Sequence, residues 1–216
     1  MATATEILQA GVNADQFLVG PATLLYQAVT NYNTSADAAA GFPTGIEDII
    51  NITTGAAMTA NGWTYLGYTE NIAMSRNRTV VNLDADQEAR VKTVHDVWEN
   101  TLTVTALETT LAKLTTFLQG TTSAAVAGSD PAQTAIYLGN SADIDYQRVA
   151  VIFVDDQGAA WAFVYRKCNI RPTGGPTFTR TGRVEWPLEI TAYPDTRVTT
   201  VTQRVARIFK TDASIE

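Results

Sequence analysis

Arg148-Val-Ala-Val-Ile-Phe-Val154, Asp155-Asp-Gln-Gly158 and Ala159-Ala-Trp-Ala-Phe-Val-Tyr-Arg-Lys-Cys-Asn-Ile170 form the stretch on which the fold turns. Two apolar runs rich in β-branched and aromatic residues flank four turn formers that end in glycine. That pattern reads as a β-hairpin. Both faces of each run are apolar, so both faces need a cover.

Downstream, Arg171-Pro-Thr-Gly-Gly-Pro breaks the pattern, and Thr177 to Ala192 reads as an amphipathic strand. Phe178, Val184, Trp186, Leu188 and Ile190 take one face, while Thr177, Thr179, Thr181, Arg183, Glu185 and Glu189 take the other. Pro187 cannot donate to a ladder, which places this strand at an edge or a bulge. The last twenty residues, from about 196 to 216, hold little core material and read as an extended arm.

Upstream, Phe17 to Gln27 reads as a strand with Pro21 marking a bulge or edge. From about Thr30 to Asn61 the chain turns to Ala, Gly, Thr, Asn and Asp, a long connection in which Ile46 to Ile50 suggests a short helical turn. Strand character resumes at Trp63 to Thr69 and Arg76 to Leu83. The acidic turn Asp84-Ala-Asp-Gln-Glu88 then leads into an extended stretch from Ala89 to Val104. There Val94, Trp98, Leu102 and Val104 alternate with Thr93, His95, Glu99, Thr101 and Thr103. Thr105-Ala-Leu-Glu108 has the form of a capping box, and Leu107, Leu111, Leu114 and Leu118 recur at helical spacing. A helix is therefore predicted over Thr105 to Gln119, ended by Gly120. The whole reads as one mostly β domain over 1–216, with one flanking helix.

Composition agrees. The 216 residues include 33 threonines, and only 17% are charged, below the roughly 25% of an average soluble domain. Threonine is stiff at χ1 and favours strands. A surface of short neutral side chains also loses little entropy when packed against a neighbour. The formal net charge of −7 argues against tight nucleic-acid binding, despite a mild cluster of Arg197, Arg204, Arg207 and Lys210 near the end. One cysteine, Cys168, precludes an intrachain disulfide. The N-terminus has no signal-peptide pattern, and no apolar run approaches the length of a membrane span. Three sequons, at Asn33, Asn51 and Asn77, are what a threonine-rich composition produces by chance.

One histidine and one cysteine do not make a transition-metal site. His95 has no serine in a nucleophile-elbow context. Gly174-Gly175 precedes a strand and not a helix, so it is no phosphate cradle. Asp84, Asp86 and Glu88 lack the glycine and the distant glutamate of a calcium loop. Glu185 and Glu189 share one open strand face, unlike the paired carboxylates of a glycosidase. No cofactor is expected and no catalytic residue is assigned.

The order of elements resembles the major tail tube protein of bacteriophages with long, flexible, non-contractile tails. Five segments carry the resemblance: Gly62-Trp-Thr-Tyr-Leu-Gly-Tyr-Thr-Glu70, Asp84-Ala-Asp-Gln-Glu88 with its long strand, the helix, the hairpin ending Val164-Tyr-Arg-Lys-Cys168, and Glu185-Trp-Pro-Leu-Glu-Ile-Thr-Ala-Tyr-Pro-Asp195. It covers roughly 60 to 195, and 15 to 28 loosely. It implies a β-sandwich with one helix, six copies of which form a ring whose sheets join into an inner β-barrel. Rings stack into a tube in the virion tail, made in the host bacterial cytoplasm, through which DNA passes without specific binding. The other partners implied are tape-measure, tail-terminator and baseplate proteins.

Glu185 and Glu189 are then candidates for the lumen wall. The loop at 30–61 and the C-terminal arm are expected to order on assembly. A type VI secretion tube protein shares this fold. A tail terminator, a capsid-decorating protein and a β-sandwich carbohydrate-binding or adhesin module are the other readings. The last would need a solvent-facing aromatic platform, whereas the tryptophans fall mostly on core-facing positions.

Overall fold

The structure, a computed structural model, describes residues 22–28, 42–52, 54–85, 88–107, 110–118, 121–125, 133–138, 145–155, 158–178 and 184–214. In chain order the strands are β1 (Thr23–Ala28), β2 (Trp63–Tyr65), β3 (Thr69–Ala85), β4 (Glu88–Ala106), β5 (Thr121–Ala125), β6 (Thr134–Tyr137), β7 (Gln147–Val154), β8 (Ala159–Pro172), β9 (Thr177–Phe178), β10 (Val184–Tyr193) and β11 (Ala206–Ser214). Among the described residues they are joined by one α-helix, α1 (Leu111–Leu118), and by short 3-10 turns at Ile46–Asp48, Thr59–Asn61 and Val201–Gln203. The protein is mostly β, as the threonine-rich composition leads one to expect. Among the described residues the strands form a nine-stranded sheet and a two-stranded one, and no closed barrel.

The chain divides into two compact units, with β8 contributing its residues up to Tyr165 to the first and those from Arg166 to the second. In the first unit the predicted hairpin is present. Asp155 N donates to Ala159 O at 2.9 Å, and Gly158, at φ +82°, donates to Asp155 O. That left-handed geometry suits glycine. Every residue of β7 except Val154 is buried.

The segment before β2 holds more core than its composition suggests. Phe42, Ile46, Ile49 and Ile50 pack with Leu25, Trp63, Ala150, Ile152 and Val164 in one apolar cluster. This corrects the expectation of a connection poor in core residues, over positions 42–50; positions 30–41 lie outside the described residues. The segment is also pinned by polar contacts. Arg148, itself buried, donates to Gln27 Oε1 at 2.9 Å, Gln27 donates to Asn61 O, and Asn61 Nδ2 donates to Asp48 O at 2.9 Å. Phe42 lies under two guanidinium groups, Arg148 at 5.7 Å and Arg207 at 5.5 Å from the ring centroid.

The C-terminal segment, expected as an extended arm, carries the 3-10 turn Val201–Gln203 and then β11, which pairs with β8. Ala206 to Lys210 lie in antiparallel register with Tyr165 to Trp161, and Phe209 packs against the same core. Pro21 and the strand residues before it lie outside the described residues.

In the second unit β3 and β4 form a long antiparallel hairpin whose tip, residues 86 and 87, lies outside the described residues. The predicted helix start is corrected. Thr105 and Ala106 belong to β4, in register with Pro187 and Trp186, and Ala106 is fully buried. Pairing on both sides of the strand outweighs a local capping pattern. The helix begins six residues later, where the Thr110 hydroxyl accepts from Lys113 N at 3.4 Å. Glu108 and Gly120 lie outside the described residues. Phe117 is the buried anchor of α1.

Two expectations about the last long strand also change. Val184 and Glu185 pair antiparallel with Phe178 and Thr177, so the chain reverses between them and Thr177–Ala192 is not one strand. Residues 179–183, Arg183 included, lie outside the described residues. Pro187 sits inside the sheet, not at its edge, because β10 pairs with both β4 and β8. It is tolerated because a residue's N–H and C=O in an antiparallel ladder point to the same side. Pro187 O accepts from Thr173 N at 2.9 Å, so its missing N–H faces the place where the β8 ladder ends, beyond Pro172.

Candidate functional site

Side chains directly opposite one another in a ladder share a face, and successive residues alternate. The registers of the second unit therefore define its two sheet faces. Leu188, Ile190 and Ala192 of β10 align with Val104, Leu102 and Asn100 of β4, and with Pro172, Ile170 and Cys168 of β8. Apart from Pro172, these side chains are buried. Glu189 and Thr191 point the other way. Glu189 aligns with Arg171 and Thr103, and Thr103 with Ala73. Thr191 aligns with Asn169 and Thr101, and Thr101 with Ser75.

The result is a four-stranded, mostly polar surface of threonine, asparagine and serine, with Ala73, the Arg171–Glu189 ion pair, and Glu70 and Glu99 toward its β3–β4 side. Short hydroxyl side chains hold water well, and they lack the positive charge needed to grip a phosphate. The strand order ends at β3. Its outer edge has no strand partner among the described residues. A bulge near that end, between Glu70 and Ala73, places Asn71 at φ +55°. Asparagine is among the few residues that visit this left-handed region routinely.

Both carboxylates singled out by the sequence are on this polar side. Glu189 lies at its centre and Glu185 at its rim, opposite Thr177. What sequence reasoning did not find is the partner of Glu189. Arg171, eighteen residues away, donates from Nε to Glu189 Oε1 at 3.0 Å and from Nη2 to the same oxygen. The carboxylate raises the guanidinium's pKa above its ordinary value, by hydrogen bonding first and by charge second. Thr191 Oγ1 donates to Glu189 Oε1 at 3.4 Å. The second cation on this side of β8, Lys167, lies 4.0 Å from the Tyr146 ring centroid, and Tyr146 meets Tyr193 edge to face. A signal for the ion pair existed in the opposite charges of Arg171 and Glu189, and only the strand register reveals that they face each other.

Nothing in this surface forms a catalytic set. Among the described residues no group of three or more His, Cys, Asp or Glu side chains could hold a metal ion. None of the described helices is long and apolar enough to cross a membrane. Cys168 is buried.

Comparison with known proteins supplies the remaining observation. A family model described as phage tail tube protein matches residues 10–206. No curated protein matches the chain.

Proposed function

The chain belongs to the phage tail tube protein family, and on that premise we propose that six copies close into a ring, that rings stack into a tube, and that the tube conducts DNA during genome ejection. A structural component of the virion tail is what the family is. The ring, the conduit and a purely non-catalytic role are the proposal. The observation that carries it is the pairing of a polar, threonine-rich sheet face with an edge at β3 that has no strand partner among the described residues. An open edge pairs readily with another chain. Contacts between unlike surfaces close into rings when the rotation permits. Strands added edge to edge around a ring build an inner barrel, and the polar face then becomes its wall.

In this reading Glu185 and Glu189 line the lumen. Tape-measure, terminator and baseplate proteins meet the assembled tube, and synthesis takes place in the host bacterial cytoplasm. The test is electron microscopy of concentrated purified protein together with native mass measurement. Tubes, and rings of six 23.3 kDa chains, are the expected result. A monomer or dimer at every concentration overturns it.

A further inference from the structure

A channel wall that carries DNA must not hold it, yet this polar face contains an arginine. The Arg171 side chain is 60% exposed, against 24% for Glu189. An exposed guanidinium binds phosphate through two adjacent N–H groups. Two such groups, Nε and Nη2, are here directed at a single oxygen of Glu189. The position is enforced. Glu189 and Arg171 are register partners on neighbouring strands, and Glu189 is held further by Thr191. The other cation on this side of β8 is likewise engaged, over the Tyr146 ring.

We propose that Glu189 is a charge mask: it occupies the Nε–Nη2 edge of Arg171, offsets the guanidinium's charge, and so keeps a positively charged wall residue from arresting DNA. This rests on the reading of the face as a lumen wall, and it changes the part Glu189 plays there. Its carboxylate does not chiefly contribute a repulsive field; it cancels a specific adhesive group. A cross-strand ion pair also stabilises a sheet, and a purely structural role makes the two partners equivalent. The mask does not. Loss of Glu189 uncovers a cation, whereas loss of Arg171 removes it.

The experiment uses assembled tubes of full-length protein and a short fluorescent duplex DNA. Tubes of the unchanged protein and of Arg171→Gln are expected to bind it equally weakly. Glu189→Gln tubes are expected to bind about tenfold tighter or more at low salt, with log affinity falling as log salt rises, the signature of released counterions. Tubes carrying both changes return to the unchanged level. Equal binding by the two single variants overturns the mask.

Location is tested separately with Thr103→Cys on the same face, since the native Cys168 is buried. A bulky maleimide is expected to label it in free subunits and not in tubes. Equal labelling in both removes the lumen reading and the mask with it. Protection combined with equal DNA binding removes the mask alone. Should Glu189→Gln fail to form tubes, Glu189→Ala and Glu189→Ser take its place, each compared with its Arg171→Gln double variant.

Discussion

Asp48 shows how one side chain fixes a segment that composition alone would leave loose. Its carboxylate accepts from Thr44 N at 2.7 Å and from the Thr44 hydroxyl at 2.8 Å. These bonds, the backbone one first, hold its pKa below the ordinary value of 3.8. A depressed folded-state pKa contributes stability that is present above the unfolded value and lost as pH falls through the folded one. The contribution is small because solvent screens the site. Asp48→Asn is expected to flatten the dependence of the urea midpoint on pH below about 4, and unchanged curvature there would refute it. Ile49, fully buried beside Asp48, makes a larger prediction. Ile49→Ala leaves a cavity in the core and is expected to cost about 2–5 kcal/mol, read as a lowered urea midpoint. A midpoint within error of the unchanged protein would show that this segment does not pack there. At this scale the sequence is least legible. Nothing near Arg171 in the chain announces Glu189, since ion pairing between them depends on a register that no local pattern encodes.

Among the elements, legibility follows how far the deciding interactions reach. The β7–β8 hairpin was readable because its turn residues and apolar runs are contiguous. The helix start was not, because the pattern at Thr105–Glu108 competes with ladder partners eighty residues away in β10 and thirty-five residues away in β3. The alternation of β10 predicted its two faces, while the reversal at Phe178 was hidden by residues that continue the same alternation. Two predictions belong here. In β3, Asn71→Val is expected to cost roughly 1–2 kcal/mol by forcing a β-branched residue into the left-handed region, whereas Asn71→Gly should be near neutral in the same denaturation assay. Equal losses would show that φ is not the cause. Hydrogen exchange forms the second. Ile49, Ile50, Met58 and Trp63 donate backbone bonds within the first unit. Their amides are expected to be protected in the free subunit already, so these four positions do not wait for assembly to become ordered. Complete exchange of these amides within the dead time would contradict the packing seen.

For the whole molecule, charge is the readable quantity and its placement is not. Each chain carries a formal −7, or −42 in the proposed ring of six (six times −7), so like-charged subunits repel one another before they meet. Tube growth from purified protein is expected to quicken as ionic strength rises and screening shortens that repulsion; light scattering that slows with added salt would argue the opposite. Within a virion, Glu185→Lys with Glu189→Lys is expected to leave tubes intact and to slow genome ejection, with the defect easing at higher salt. Normal ejection kinetics would take these side chains out of the channel. Composition thus told what kind of surface the chain presents, and only the ladders told which way it faces.

The same in–out alternation along β4, β8 and β10 also has a meaning for the gene. Losing the codon for Glu189 turns every residue downstream in that strand to the opposite face, Thr191 and Tyr193 inward and Ile190 and Ala192 outward, because side chains alternate with a period of two. Losing two codons preserves the parity. At Asn71 the arithmetic differs: the bulge already holds a surplus residue, and one deletion there restores a plain ladder. A codon-deletion library of this gene should therefore survive in pairs along β10 and singly at the bulge, a reading frame written in protein geometry.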